Sequence, residues 1–304
     1  MQIEYAPYQL SQHAALNRLD LSSVREGMLL RVDGAQYACV HPWPELGDPT
    51  LAECITDLKE GRFNPLLQRA LEAASTFGQP VADAPLVQSH ATLPKLNGQP
   101  VLAAVQADFA AVKIKRGKDW MRLRKKTEAF IQGYPCLRWR IDFNGALKSH
   151  RELVQFLSSV PRHQIDFIED PFADPALAES WKGFPIAYDR VIPDTLDLEQ
   201  NYLIAKPAVQ SLETIQALAG SHPHKVIFTS YMDHPVGQLA AYQAAQRFYS
   251  QNAVTTPPLC GLATHDLYEP TPYHRLLGPA APTLSSPLKP DLIALLEQEA
   301  WLPL

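Results

Sequence analysis

The second part of the chain is a series of short apolar runs, each closed by an ionisable or polar residue. The clearest runs cover 110–115, 137–142, 165–169, 185–189, 202–206 and 225–230, and a helical pattern follows most of them. Strands that alternate with helices predict a parallel sheet, and near-continuous apolar strands predict burial on both faces. Two weaker runs, 87–91 and 259–263, bring the number to eight, which is the number for a closed (β/α) barrel.

The first part of the chain has a different pattern. Alternating strand patterns flank the Asp33-Gly34 turn, and a Pro-rich loop and two helical patterns, at 51–59 and 64–75, follow them. With 304 residues, 46% of them hydrophobic, the chain can bury a large domain and a smaller one. We therefore predict an α/β protein with an α+β capping domain at 1–85 and a barrel at 86–282. We expect 283–304 to pack back on the capping domain.

Composition argues against several classes of partner. A net charge of −5 provides no basic surface for nucleic acid. The first residues lack the pattern of a secretory signal, and no apolar run approaches the roughly 20 residues of a membrane span. We thus expect a cytoplasmic protein that binds neither nucleic acid nor a membrane. No glycine-rich phosphate motif or zinc-ligand spacing is present, and the oligomeric state stays open.

The residues that close the runs predict the chemistry. In chain order they are Lys113, Lys115, Asp142, Glu169, Asp189, Lys206, Thr229 and Ser230. Because consecutive parallel strands end at the same rim of a barrel, we expect these side chains to meet there. Three converging carboxylates favour a hard divalent cation, Mg²⁺ first and Mn²⁺ as an alternative. A lysine beside such a cation and a second ammonium has a lowered pKa, so it can act as a base.

The same residues resemble the motifs of a known family. Val-Lys-Ile-Lys at 112–115 resembles the Lys-x-Lys motif of the enolase superfamily. Four further segments, at 141–145, 168–171, 187–189 and 204–207, resemble its Asp-x-Asn, Glu-Asp-Pro, Asp and Lys-Pro blocks in the same order. The resemblance spans essentially the whole chain. Within the superfamily, the strand Leu-Arg-Trp-Arg-Ile-Asp and the segment 261–267 resemble the o-succinylbenzoate synthase family of menaquinone biosynthesis.

The resemblance implies a lyase that acts on a small carboxylate, 2-succinyl-6-hydroxy-2,4-cyclohexadiene-1-carboxylate, and dehydrates it to o-succinylbenzoate. By resemblance, Lys115 is the base, Lys206 stabilises the enediolate, and Lys113 keeps the pKa of Lys115 low. The implied metal ligands are Asp142, Glu169 and Asp189. The implied substrate contacts are Asn144, Thr229, Ser230 and Gly261.

Alternatives remain for the function and for single residues. The protein could be an N-acylamino acid racemase or dipeptide epimerase in which Lys115 and Lys206 form a two-base pair, or a barrel without catalytic activity. Taken alone, Asp142 could cap a helix, Glu-Asp-Pro at 169–171 could start one, and Ser230 could cap another. Asp170 is expected to face away from the metal. Arg190 stands where many members of the superfamily have Glu. A loop that closes over the substrate is predicted at 15–23.

Overall fold

A computed structural model describes residues 1–13, 23–94, 96–284 and 290–304. Its first part contains an antiparallel sheet of β1 (Ile3–Ser11), β2 (Val24–Val32) and β3 (Gln36–Val40), with α1 (Leu51–Lys59) and α2 (Pro65–Thr76) packed beside it. The turn between β2 and β3 uses positive φ at Asp33 and Gly34, as the sequence predicts. Thr50 closes a capping box at α1, and Asn64 caps α2.

The second part alternates strands and helices as expected. In chain order it contains β4 (Ala91–Leu93), α3 (Gly98–Gln106), β5 (Ala111–Lys115), α4 (Trp120–Gly133), β6 (Arg138–Asp142), α5 (His150–Leu157), β7 (Ile165–Glu169), α6 (Pro175–Ser180), β8 (Ile186–Tyr188), β9 (Tyr202–Ala205), α7 (Leu212–Ala219), β10 (Val226–Phe228) and α8 (Pro235–Gln251). The seven strands pair in parallel in chain order. A loop without a regular helix joins β8 to β9.

Backbone bridges join the two edges of this curved sheet. Cys260 pairs in parallel with Ser89, just before β4, and Gly261 pairs in parallel with Thr229, just after β10. The Cys260 carbonyl accepts a hydrogen bond from the His90 N–H (2.7 Å), and the Gly261 N–H donates to the Phe228 carbonyl (2.8 Å). The predicted eighth strand is therefore present only as these bridges. The predicted fold class, a (β/α) barrel with an α+β capping unit, is confirmed.

Inward-facing side chains form two layers inside the barrel. The lower layer contains a fully buried apolar cluster of Phe167, Ala187, Ile204 and Ile227. Side chains two residues apart on a strand share a face. The residue two positions after each member of this cluster therefore also points into the barrel, in the upper layer. The upper layer therefore receives Glu169, Asp189, Lys206 and Thr229. Arg140 is buried beside this cluster, over the Phe167 ring, so the layer below the site is buried but not wholly apolar.

After α8 the chain returns to the first sheet. It forms α9 (Pro272–Leu277), α10 (Pro290–Glu297) and β11 (Leu302–Pro303), and β11 pairs antiparallel with β1. Trp301 lies against Tyr37 of β3, and the Arg31 guanidinium stacks over the Trp301 ring. The exact domain boundaries stay a prediction. None of the helices in the described ranges is both long and apolar enough to cross a membrane.

A buried polar seam joins the first sheet to the start of α8. The Tyr8 hydroxyl is 2.8 Å from Nδ1 of His41, and its ring lies 4.7 Å from the ring of His234. His234 is 2% exposed and caps α8 through Nδ1, which accepts from the Val236 N–H. Burial lowers the pKa of His234 well below its usual value. The two units are thus joined by neutral imidazoles and hydroxyls.

Asp233 is a buried carboxyl group of this seam with one unsatisfied oxygen. It is 3% exposed, and its Oδ1 atom has no hydrogen-bond partner among the described residues. Together with Cys39 and Gly237 it lines a cavity of about 460 Å³ between α2 and α8. Burial raises the pKa of Asp233 to about 7. Asp233 is therefore held largely in its neutral form below that pH.

Asp233→Asn tests this burial through the pH dependence of stability. The pKa of Asp233 is higher in the folded state than in the unfolded state. Its contribution to the free energy of unfolding is therefore complete below about pH 4 and is lost as the pH rises to about 7. We expect the stability advantage of the variant to grow by up to about 1.4 kcal/mol per pH unit between pH 5 and 7, and then to level off. Urea unfolding at a series of pH values measures it.

Asp83→Asn is the matched control, because it removes the same charge from an exposed loop. A stability difference between Asp233→Asn and wild type that does not change from pH 5 to 8 would contradict the account of Asp233.

Candidate active site

The predicted rim residues meet at one level of the barrel. Lys115 pairs in register with Asp142, and Asp142 pairs with Glu169 on the next strand. Glu169 in turn pairs with Ala187, and Asp189 follows Ala187 by two residues on the same face. Four strands thereby bring one lysine and three carboxylates to one end of the barrel.

Lys113 connects two of the carboxylates. Its Nζ atom lies 2.5 Å from Oε1 of Glu169 and 3.1 Å from Oδ2 of Asp142. Burial disfavours the ammonium, but the surrounding carboxylates outweigh burial and raise the pKa of Lys113. Burial raises the pKa of Glu169 to about 8, and the charges of Asp142 and Asp189 add to this rise, against the opposing effect of Lys113. The Lys113 ammonium thus balances a concentration of negative charge.

Lys206 makes the equivalent contact on the other side of the site. Its Nζ atom lies 2.6 Å from both carboxylate oxygens of Asp189. Burial alone would raise the pKa of Asp189, but the positive charges of Lys206 and Lys113 lower it. The Lys206 backbone N–H donates to Oε1 of Gln210 (2.8 Å), which fixes the chain where β9 ends. The ion pair keeps a positive charge on this side of the barrel.

Lys115 has the opposite electrostatic balance. Burial lowers its pKa, and the ammonium groups of Lys113 and Lys206 lower it further, while Asp142 partly offsets them. A lysine whose pKa is lowered by burial and by neighbouring cations is suited to accept a proton. Of the three rim lysines, Lys115 therefore has the environment of a base.

Asp170 supports the site from outside it. Its Oδ1 accepts the Asp189 N–H (3.0 Å), and its Oδ2 accepts the Arg190 N–H (2.9 Å). Burial raises the pKa of Asp170 to about 7, and the nearby Asp189 charge adds to this rise. The carboxylate thus fixes the backbone that carries Asp189. The alternative in which Glu-Asp-Pro starts a helix is wrong, because α6 begins at Pro175 with Asp174 as its cap.

The predicted substrate contacts have different environments. Thr229 is 8% exposed, and its Oγ1 has no hydrogen-bond partner among the described residues. Ser230 is instead engaged with Thr264, at 2.7 Å between the hydroxyls. Asn144 takes a positive φ of 50° and donates its N–H to Oδ1 of Asp142. The structure thus leaves the hydroxyl of Thr229, but not that of Ser230, available inside the barrel.

Gly261 is required by close packing. A Cβ atom there would lie 2.8 Å from Cε1 of His90 and 2.9 Å from Cγ2 of Thr229. His90 in turn lies 2.8 Å from the guanidinium of Arg140, which forms an ion pair with Asp166 below the site. A side chain at position 261 would therefore push on Thr229 and on the buried histidine.

A loop of the first unit reaches the rim. The Tyr231 hydroxyl donates to Oδ2 of Asp48 (2.9 Å), and the Trp43 indole N–H donates to the Tyr231 carbonyl (2.9 Å). Trp43 is fully buried, and the Arg25 guanidinium stacks 3.8 Å from its ring. Neither Asp48 nor Tyr231 is predicted as a site residue from the sequence. Of the predicted loop at 15–23, all but Ser23 lies outside the described residues.

The donor set fits a hard divalent cation. Its members are carboxylates alone, and Asp142 and Glu169 are 4% and 1% exposed, so they need a positive counter-charge. Within the described ranges no three acidic, histidine or cysteine side chains are close enough to hold a metal as they stand. Lys113 and Lys206 supply the counter-charge instead. A bound cation would draw the carboxylates away from these ammonium groups.

The chain is similar in sequence to o-succinylbenzoate synthases. A family model described as "O-succinylbenzoate synthase, N-terminal domain" matches residues 3–79. An o-succinylbenzoate synthase from Bdellovibrio bacteriovorus is 29% identical over 317 residues, which cover 93% of this chain and 92% of that protein. The similarity to o-succinylbenzoate synthases therefore extends over nearly the full length of both chains.

Comparisons of structure agree with the fold. A dipeptide epimerase from Enterococcus faecalis V583 superposes with a TM-score of 0.70 at 14% identity, covering 95% of this chain and 99% of that chain. The same epimerase is also known with Mg and the dipeptide L-Leu-L-Tyr. An N-succinyl Arg/Lys racemase from Bacillus cereus gives 0.66 at 13% identity, with 88% and 89% covered.

The fold is similar to that of enolase superfamily members, and the sequence is similar to that of an o-succinylbenzoate synthase. Within that superfamily the chain is similar to the o-succinylbenzoate synthases. The resemblance seen in the motifs is thus confirmed.

Lys113→Met tests whether this lysine balances the site. Removing one partner of a buried ion pair costs about 3–5 kcal/mol, because the remaining charges stay buried. We expect a loss of this size in the free energy of urea unfolding, measured without divalent metal. Glu169→Gln introduced into the same variant should restore part of the lost free energy of unfolding. The control is Lys118→Met, which removes an exposed lysine just beyond β5. Equal urea midpoints for the two single variants would rule out the balancing role.

Proposed function

We propose that the protein is a metal-dependent o-succinylbenzoate synthase, a lyase that dehydrates 2-succinyl-6-hydroxy-2,4-cyclohexadiene-1-carboxylate. The proposal is supported by the full-length similarity to the Bdellovibrio enzyme together with the rim of three carboxylates and three lysines. The reaction removes the proton α to the ring carboxylate and expels the neighbouring hydroxyl as water. The product is aromatic, which supplies much of the driving force.

In the proposed mechanism, Lys115 performs both proton transfers. Its lowered pKa allows it to take the α-proton as a neutral amine. The ammonium so formed lies on the same face as the departing hydroxyl in a syn elimination, so it can return the proton to that oxygen. One residue then suffices as base and as acid.

Asp142, Glu169 and Asp189 would hold the divalent cation. When bound, Mg²⁺ supplies positive charge beside the substrate carboxylate, where negative charge develops as the proton leaves. The Lys206 ammonium adds positive charge from the other side of the site. The Thr229 hydroxyl is available to donate to a substrate oxygen.

The observation that carries the proposal is the unequal environment of the two candidate bases. Lys206 forms a close ion pair with Asp189, whereas burial and the neighbouring ammonium groups lower the pKa of Lys115. A racemase needs a base on each face of the substrate, while a syn dehydration needs only one. The asymmetry therefore favours dehydration.

An N-acylamino acid racemase or dipeptide epimerase is the second candidate. It is favoured by the fold, which is shared with a dipeptide epimerase and an N-succinyl Arg/Lys racemase. It also fits the positions of Lys115 and Lys206 at the ends of non-adjacent strands. In that case Lys206 would have to leave its ion pair with Asp189 to act as the second base.

Turnover of the cyclohexadiene substrate tests the proposal. We expect loss of the diene absorbance with wild-type protein and Mg²⁺, and no loss after EDTA treatment. Lys115→Ala should lower kcat by about 10³-fold or more, because it removes both the base and the acid. Lys118→Ala, an exposed position beyond the same strand, should keep the wild-type rate.

Proton exchange in D₂O separates the two candidates. A racemase would exchange the α-proton of both enantiomers of an N-succinyl amino acid, and Lys206→Ala would then exchange only one of them. That pattern, without turnover of the cyclohexadiene, would replace dehydration by racemisation. Inactivity in both assays would leave a barrel without catalytic activity.

A further inference from the structure

The cavity of about 460 Å³ between α2 and α8 lies apart from the candidate active site. Side chains of α2 form one side of it, and side chains of α8 and of the turn that follows β9 form the other. Among its described lining residues there is none of the rim carboxylates and none of the rim lysines. A volume of this size is in the range of small-molecule sites. The cavity is therefore a candidate for a second, separate site.

Small side chains on the two facing helices leave this space open. The glycine and alanine residues that line it are Gly237, Ala240, Ala241 and Ala244 on α8 and Ala70 and Ala73 on α2. Because residues three, four and seven positions apart share one face of a helix, the four residues of α8 form a single small-residue face. Side chains of this size do not fill the space between the helices.

The carboxyl group of Asp233 lies on this same face of α8. A Cβ atom at Gly237 would lie 3.2 Å from Oδ1 of Asp233 and would overlap its Oδ2, so the carboxyl group occupies the position of a side chain at 237. Asp233 itself lines the cavity and is 3% exposed, and Oδ1 has no hydrogen-bond partner among the described residues. A ligand that donates a hydrogen bond to Oδ1 would recover the free energy that an unpartnered buried oxygen costs.

The charged groups of the lining favour a cationic ligand. Both arginines of the lining are engaged, because Arg69 forms an ion pair with Glu72 (2.5 Å) and Arg247 donates to the Thr76 hydroxyl (3.0 Å). No cation of the described ranges forms an ion pair with Asp233 or acts on its charge. A ligand that matches this cavity therefore carries a positively charged N–H donor for Asp233 and an apolar body for the alanine walls.

We propose that this cavity binds a primary amine with an apolar body, whose ammonium group contacts the Asp233 carboxylate and whose apolar part lies between α2 and α8. The site is separate from the proposed dehydration site. It does not depend on the proposed function.

Isothermal titration calorimetry with 2-phenylethylamine tests this site. The titration is done at pH 8, above the pKa of about 7 of Asp233, with Mg²⁺ present to compete for the rim carboxylates. We expect wild type to bind the amine with a Kd of about 1 mM or tighter. We expect 2-phenylethanol, which has the same body without the charge, to bind at least about tenfold more weakly. Asp233→Asn should weaken amine binding about tenfold or more, because it removes the counter-charge. Asp83→Asn, an exposed residue outside the cavity, should bind as wild type does.

A cavity-filling variant tests the location without a change of charge. Ala244→Leu places a larger side chain in the cavity and should abolish amine binding, whereas Ala52→Leu on the exposed side of α1 should not. If Ala244→Leu does not fold, the result for Asp233→Asn decides alone. The proposal is overturned if wild type does not bind the amine, if it binds the amine and the alcohol equally, or if Asp233→Asn binds the amine as tightly as wild type. None of these results bears on turnover of the cyclohexadiene, so the proposed function is tested independently.

Discussion

The contacts of the Lys113 ammonium with Asp142 and Glu169 are the interaction on which the rest of the site depends. Two carboxylates that are almost completely buried would repel each other and would each pay a large desolvation cost. The ammonium at 2.5 and 3.1 Å offsets both effects. It also places positive charge beside Lys115, where it lowers the pKa of that lysine. One side chain therefore stabilises the acidic residues and prepares the base.

The geometry that makes this contact possible comes from the strands. Lys115, Asp142 and Glu169 stand in register on three neighbouring parallel strands, so no loop conformation has to be fixed to bring them together. Below them Phe167 and Ile204 belong to a buried apolar cluster. A preorganised layer of charges in a buried site is the arrangement in which electrostatic stabilisation is strongest.

The parts that followed from the sequence are those governed by strand periodicity. The ends of β5, β6 and β7 could be predicted, because a charged residue at the end of an apolar barrel strand has few alternative positions besides the rim. Seam contacts could not be predicted in the same way. His234 and Asp233 are buried because α8 begins against the first sheet, and a tertiary contact of this kind leaves no local pattern. The regular eighth strand was expected and is reduced to bridges at Cys260 and Gly261, where Gly261 packs directly on His90.

The central claim is that the carboxylates of the rim form a metal site which Lys113 and Lys206 balance when no cation is bound. Anomalous diffraction from crystals soaked in Mn²⁺ tests it directly. The account predicts one anomalous peak at the rim, about 2.0–2.3 Å from oxygens of Asp142, Glu169 and Asp189, with Lys206 moved away from Asp189. Saturating Mn²⁺ that gives no peak at the rim, with both lysines still paired to these carboxylates, would contradict it.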